Sequence, residues 1–222
     1  MRAKNRNKKD LAARTVAALK EIYPDAVCSL TYGDPVQLLI AVRLSAQCTD
    51  ARVNLVTPVL FEKYPTLESL CEASVEDIGE IIKSCGLFHT KARDIRALSL
   101  MLRDEFGGVV PDSMEQLLRL PGVGRKTANL ILGDVYGQPA IVADTHCIRI
   151  SGRIGLTDGA KDPLKTEKQL REIVEPQEGN NLCHRFVLFG RDICTARSPK
   201  CGNCPLSGFC ENPPAKEKET YA

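Results

Sequence analysis

Apolar residues return along this chain at intervals of three and four, the period of a helix buried along one side. Leu11, Val16, Leu19 and Ile22 put a stripe on a first helix that Pro24 ends. Asp34-Pro35 opens a second, running through Leu38, Leu39, Ile40, Val42 and Leu44. Thr49 or Asp50 is placed to cap a third, with Val53, Val56, Val59, Leu60 and Phe61 as its apolar positions. Short helices are expected over residues 66–73 and 74–84, the latter with Glu76 and Asp77 at its dipole-positive start and Gly86 as its stop. A long helix comes next over 90–106, with Ile95, Leu98, Met101 and Leu102 inward, ended by Gly107-Gly108. Beyond it come a short run over 114–120 behind Asp112 and Ser113, then helices over 126–136, 144–154, 163–174 and 181–192. Strand-like alternation is confined to residues 138–143. The pattern predicts an all-α protein without internal repeats.

One stretch interrupts the pattern. Residues 120–129 read Leu-Pro-Gly-Val-Gly-Arg-Lys-Thr-Ala-Asn. Pro121 cannot continue the helix before it, and Gly122 and Gly124 permit a tight turn at positive φ with no Cβ in the way. Ala128, Leu130, Ile131 and Val135 then resume a helical stripe. Backbone N–H groups of the turn and the positive end of the second helix converge on one point, which makes an anion site. Lys126 stands in that second helix. A lone Gly-x-Gly is often a plain corner whose glycines admit close helix packing. A nucleotide-binding P-loop is excluded, because it needs a Gly directly before its Lys and four residues between its glycines, whereas here Arg125 precedes Lys126. A helix-hairpin-helix that holds a nucleic-acid phosphate without reading sequence fits the whole run.

Composition narrows the class. The 222 residues, 43% hydrophobic and 26% charged, can bury one large core or two small ones, and do not describe a disordered chain. A net charge of +2 says little about a polyanionic partner, so a nucleic-acid surface has to come from local clustering. One cluster is Arg2, Lys4, Arg6, Lys8 and Lys9, which reads as a solvated tail or as a specific contact. No apolar run is long enough to span a membrane and the charged N-terminus does not read as a signal peptide. The expectation is no membrane partner and an intracellular location, in cytoplasm or nucleoid, or in the nucleus of a eukaryote.

In a reducing compartment ten cysteines point away from disulfides. Cys28, Cys48, Cys71, Cys85, Cys147 and Cys183 are dispersed among apolar neighbours and read as small core residues. Cys194, Cys201, Cys204 and Cys210 instead fall within 17 residues, spaced Cys-x6-Cys-x2-Cys-x5-Cys among Pro199, Pro205, Gly202 and Gly208. Thiolates in loops this short converge on one metal centre. Structural zinc usually shows two close cysteine pairs; a single close pair with longer arms suits a cubane iron–sulfur cluster better, and spacing alone leaves both open. Upstream, Val142-Ala143-Asp144-Thr145-His146 sets Asp144 at a helix mouth. It reads as an N-cap whose second oxygen is available to a substrate, and His146 as a packed histidine.

Taken in order, the hairpin run, Asp144-Thr145-His146 and the cysteine spacing, with Leu44-Ser45-Ala46-Gln47-Cys48-Thr49-Asp50 and Gly86-Leu87-Phe88, resemble the endonuclease III family of DNA glycosylases and abasic-site lyases over roughly residues 8–211. The resemblance implies two helical domains with a DNA-binding cleft between them. Residues 28–137 form a helical barrel containing the helix-hairpin-helix, and residues 1–27 with 138–222 form a second domain. In that second domain Cys194, Cys201, Cys204 and Cys210 hold a [4Fe-4S] cluster.

The resemblance also implies roles. Lys126 is the nucleophile, and Asp144 takes its proton or stabilises positive charge on the sugar. Attack needs a neutral amine, hence a desolvated site. Gly122, Val123, Gly124, Arg125 and Thr127 bind the DNA backbone, as does Lys200 on the cluster loop with Arg197 nearby. Gln47 and Leu87 fill the hole left by a flipped base, an ordinary core leucine being the other reading of Leu87. The implied activity is base-excision repair of oxidised pyrimidines such as thymine glycol, through a lysine Schiff base and β-elimination 3′ to the abasic site. The implied partners are damaged double-stranded DNA and downstream abasic-site-processing repair enzymes, with the protein a monomer. Adenine-removing relatives lack the lysine and place a glutamate about four residues before the glutamine, where this chain has Arg43. Ala143, Phe189 and His89 depart from the residues usual in the family and bear on lesion range. A non-catalytic DNA-binding module and an iron–sulfur electron carrier are the readings from other classes, and the conjunction of Lys126 with Asp144 separates the enzyme from either.

Overall fold

A computed structural model of the chain describes residues 2–212, with side chains from residue 7 onward. Its regular elements are helices: α1 (Arg2–Ile22), α2 (Pro35–Leu44), α3 (Asp50–Lys63), α4 (Leu67–Glu72), α5 (Val75–Ile82), α6 (Phe88–Phe106), α7 (Met114–Leu117), α8 (Arg125–Asp134), α9 (Thr145–Ile154), α10 (Pro163–Ile173) and α11 (Gly179–Asp192). Short 3-10 turns lie at Lys83–Cys85, Pro176–Glu178 and Cys201–Asn203. No helix among the described residues is long and apolar enough to cross a membrane. Residues 138–143 are irregular, not a strand, and Ala140, Ile141, Val142 and Ala143 are buried. Their alternation is that of a buried connection.

The chain divides into two compact units, one of residues Cys28–Gly137 and one joining the segment up to Val27 to the residues from Gln138 onward. In the first, α2, α3, α5, α6 and α8 enclose a core of Leu38, Leu39, Ile40, Leu60, Ile82, Ile95, Leu98, Leu102 and Ile131. In the second, α1, α9, α10 and α11 pack together around residues such as Leu19, Ile150, Leu170, Leu182, Phe186 and Phe189. The N-terminal helix is tied to the distant C-terminal sequence by polar contacts. Arg185, buried at 2% exposure, donates to Tyr23 O at 3.2 Å, and Tyr23 Oη donates to Asp192 Oδ2 at 3.0 Å. Burial and the Asp192 carboxylate push the Tyr23 phenol up to about 12. Lys8 Nζ donates to Leu156 O at 3.1 Å; the backbone from Arg2 belongs to helix α1, and the side chains of Arg2, Lys4 and Arg6, read as a tail or a contact, lie outside the described ones.

Most helices begin where a side chain can satisfy the unpaired first-turn amides. Asp34, Thr49, Thr66, Ser74, Ser113, Asp144 and Asp162 all accept from backbone N–H groups of the turns they open. Each such cap contributes about 1 kcal/mol. α6, α8 and α11 have no side-chain cap. The first two start at Leu87 and Gly124, inside the Gly86-Leu87-Phe88 motif and the Gly-rich hairpin.

Several expectations need correction. Ile22 is 41% exposed and Val59 54% exposed, while Ala12 and Thr15 are buried in α1. The inward face of that helix is therefore rotated from the one Leu11 and Val16 suggested. α7 ends at Leu117, short of Leu120, because Arg119 N–H and Leu120 N–H bond to the carbonyls three residues back, tightening the chain ahead of Pro121. α6 begins at Phe88, not at Thr90, and α11 at Gly179, not at Asn181.

At Gly179 an added Cβ would lie 2.7 Å from Ala140 O and 2.9 Å from Ile141 Cδ1. The first of these is main chain and cannot turn aside. Gly179→Ala is expected to destabilise the protein by about 1–3 kcal/mol, read as a lower denaturant midpoint at unchanged slope; an unchanged midpoint would show that the 138–143 connection yields without cost.

Candidate active site and metal centre

In the unit Cys28–Gly137 the Gly-rich hairpin lies against a pair of charged side chains. Gly122 has φ +75, and a Cβ there would lie 2.6 Å from Arg43 Nε and 3.0 Å from Asp94 Oδ2. Glycine is thus required for both the turn and the room. Arg43, near the end of α2, forms an ion pair with Asp94 of α6, with Nη2 at 2.6 Å and Nε at 2.7 Å from Oδ2. The hairpin is closed by Val123 N–H to Leu120 O at 3.1 Å, with Val123 buried. Gly124 then opens α8 without a side chain over its first-turn amides. Gly122, Gly124, Arg125 and Lys126 are exposed, and Thr127 is buried.

Gln47 and Leu87 stand out by their backbone. They are the non-glycine residues with positive φ among those described, at 56° and 48°. Such a conformation costs a residue with a Cβ roughly 1–2 kcal/mol. Leu87 is 57% exposed, which rules out the reading of it as an ordinary core leucine, and Gln47 is exposed as well. Strain and exposure coincide at the two residues for which the resemblance implied insertion into DNA.

In the other unit Asp144 caps α9, its Oδ1 accepting from Cys147 N–H at 2.7 Å. His146 Nδ1 lies 3.2 Å from Arg149 Nη2, and the residue is half-buried. The far end of α9 is joined to the cysteine loop. Arg149 Nη2 donates to Gly190 O at 3.3 Å and Cys194 O at 3.1 Å. Arg153 donates to Thr195 O at 2.7 Å, Ala196 O at 2.8 Å and Cys194 Sγ at 3.5 Å. Glu211 N–H and Asn212 N–H return to Ile154 O and Arg153 O, so both ends of the loop are fastened to one helix end.

Cys194, Cys201, Cys204 and Cys210 line one cavity with Ile154, Phe189, Ile193 and Leu206. Among the described residues no three such side chains stand close enough together to share a single metal ion. Ligands around a larger inorganic cluster need not. Burial, reinforced by the other thiols, pushes Cys204 and Cys210 above the ordinary thiol range. A cationic centre among them reverses that balance and stabilises the thiolates. The residues therefore fit a cysteine-held iron–sulfur cluster. Lys200 lines the same cavity; its ammonium is exposed and lies 3.8 Å from Asp192 Oδ1. Of the six cysteines read as core residues, Cys71, Cys85, Cys147 and Cys183 are buried, whereas Cys28 and Cys48 are partly exposed.

The sequence reading missed the polar residues that hold these elements. Arg43 and Asp94 are 51 positions apart, so no local pattern pairs them. Arg149 and Arg153 sit four apart on one helix face, a spacing that could have marked them as a pair reaching for a common target. Lys126 is exposed, so the desolvation expected around it is not supplied by its own helix.

Known proteins resemble this chain over most of its length. A family model described as HhH-GPD superfamily base excision DNA repair protein matches residues 40–176, and one described as the iron-sulfur binding domain of endonuclease III matches residues 194–210. The chain is 45% identical over 205 residues to endonuclease III of Synechocystis sp., covering 92% of this chain and 93% of that one. It is 42% identical over 199 residues to endonuclease III of Bacillus subtilis, covering 90% and 91%. A solved structure of a trapped endonuclease III–DNA covalent intermediate superposes with a TM-score of 0.87 at 43% identity, covering 92% of this chain and 96% of that one.

If Arg153 fastens the cysteine loop, Arg153→Met should lower unfolding free energy by about 1.5–3 kcal/mol and speed the loss of iron to a chelator. Iron retained at the wild-type rate, with stability unchanged, would mean the loop is held without it.

Proposed function

The chain belongs to the endonuclease III family of base-excision DNA glycosylases and abasic-site lyases, and from that premise we propose that it excises oxidised pyrimidines such as thymine glycol from duplex DNA through an imine on Lys126. What carries the reading is the place of Lys126: exposed, in the first turn of a helix capped by a glycine, directly after a hairpin suited to hold a phosphate.

In this reading amides of Gly122 to Thr127 clamp the backbone of the damaged strand, and Arg125 and Lys200 add charge against phosphates. Leu87 and Gln47 enter the stack where the lesion has swung out. A saturated, non-planar pyrimidine stacks poorly, so it leaves the helix at less cost than an intact base. Lys126 Nζ then bonds to C1′ as the bond from C1′ to the base breaks, and the base departs with the electron pair and takes up a proton. Asp144 accepts a proton from the lysine nitrogen; Oδ1 is engaged in its cap, which leaves Oδ2 for that task. Opening of the sugar gives the protonated imine. Loss of a C2′ proton then pushes out the 3′ phosphate, and water releases the lysine. Because Lys126 is exposed in the free protein, the bound DNA supplies the desolvation that favours a neutral amine.

Lys126 belongs to the Cys28–Gly137 unit and Asp144 to the other. Every step is redox-neutral. Cys194, Cys201, Cys204 and Cys210 hold a [4Fe-4S] cluster that serves here as a cross-link of the loop presenting Lys200. The protein acts as a monomer, and its product, a nick with an unsaturated sugar on the 3′ end, passes to enzymes that process abasic sites.

Single-turnover kinetics on a duplex with one thymine glycol test this. Lys126→Ala is expected to lose strand nicking, and Asp144→Asn to slow base release by about 100- to 10,000-fold, with duplex binding retained in both. Nicking that survives in Lys126→Ala would remove the imine from the scheme, and binding without any base release in the wild type would leave a DNA-binding module.

A further inference from the structure

One of the largest fully buried side chains among the described residues belongs to a lysine. Lys91, in the first turn of α6, has no exposed surface. Its ammonium donates to Leu44 O at 2.7 Å and to Cys85 O at 2.8 Å. These carbonyls close α2 and the 3-10 turn Lys83–Cys85, the electronegative ends of both elements. Both bonds go to main chain, so the ammonium fixes backbone positions and not merely side chains. Burial pushes the Lys91 ammonium down from its ordinary range, and the neighbouring Cys48 and Cys85 thiols act against that shift.

The residues just downstream of each carbonyl give the arrangement its meaning. Three residues beyond Leu44 the chain reaches Gln47, and two beyond Cys85 it reaches Leu87. These are the two strained positions, with φ of 56° and 48°. Lys91 N–H also bonds to Leu87 O at 3.1 Å, so one residue holds the root of the first loop and both the root and the tip of the second. A left-handed conformation at a residue with a Cβ persists only where its surroundings impose it. A leucine or methionine would fill the space of Lys91 with no charge to desolvate, so stability alone does not account for an ammonium there.

We infer that Lys91 is a positioning residue that sets the separation between Gln47 and Leu87, and with it the width of the gap in DNA that the pair can fill. The inference rests on the reading of Gln47 and Leu87 as gap-filling residues, and its test separates the two. Full-length protein with its cluster is compared with Lys91→Met, which keeps the volume and removes the donors; Lys91→Gln, which keeps a neutral donor, serves if Lys91→Met does not fold. Amide hydrogen exchange should rise about tenfold or more in residues 45–48 and 85–87 together, with the remaining helices unaffected. The ratio of borohydride trapping on a duplex thymine glycol to trapping on a single-stranded abasic oligonucleotide should fall about tenfold, since only the first substrate needs the gap filled. A general folding defect lowers both trapping rates and leaves the ratio where it was.

Exchange unchanged in either loop, or a wild-type trapping ratio with both loops loosened, overturns the inference. Leu87→Ala and Gln47→Ala judge the other reading. If both keep the wild-type ratio, gap filling falls, and a ratio that still drops in Lys91→Met then counts against Lys91 acting through those two residues.

Discussion

The ion pair between Arg43 and Asp94 is the contact on which the Gly-rich hairpin of the Cys28–Gly137 unit rests. It joins the end of α2 to the first half of α6, and Gly122 rests directly on it. With side-chain exposures of only 13% and 25%, neither partner could be removed without leaving a largely buried charge unmatched. Lys91 repeats the device, binding the carbonyls at the ends of α2 and of the 3-10 turn. The Gly-rich hairpin and the ends of α2 and of the 3-10 turn Lys83–Cys85 are thereby seated on a few charged groups. A wholly apolar core would tolerate sliding of these helices, whereas directional bonds to main-chain atoms do not.

The second unit solves a related problem with a different part. α9 is ten residues long, about 15 Å of helix. Asp144 caps one end, and Arg149, Arg153 and the returning amides of Glu211 and Asn212 fasten the cysteine loop to the other. The orientation of a helix determines where its cap residue points. The cysteine loop and Asp144 are thus attached to opposite ends of one short helix. Most of the side-chain donors in this connection, Arg149 and Arg153, belong to the helix, and from the loop Cys210 Sγ adds a contact to Arg153 O at 3.4 Å.

Much of this was legible because it is written locally. Caps at Asp34, Thr49, Ser113 and Asp144, the stops at Gly86 and Gly107, the hairpin and the four cysteines are all short-range patterns. The phase of amphipathic helices was less secure, since Ile22 and Val59 continue a period that the neighbouring helices do not cover. The left-handed backbone at Gln47 and Leu87 could not be read, because neither residue type announces a positive φ as glycine does. Lys91 left a faint trace: four residues ahead of Ile95 it falls on the inward face of α6, where a lysine is out of place. Its partners at Leu44 and Cys85, like the pairing of Arg43 with Asp94, emerge only from the packing of distant helices.

The central claim is that a single lysine becomes covalently attached to the sugar of the excised lesion. Borohydride reduction of the wild-type protein on a thymine-glycol duplex, with proteolysis and mass mapping of the sugar adduct, addresses it directly. The account predicts one modified residue, Lys126, in the peptide immediately after the hairpin. An adduct on another lysine or on the N-terminal amine, or base release with no adduct at all, would contradict it.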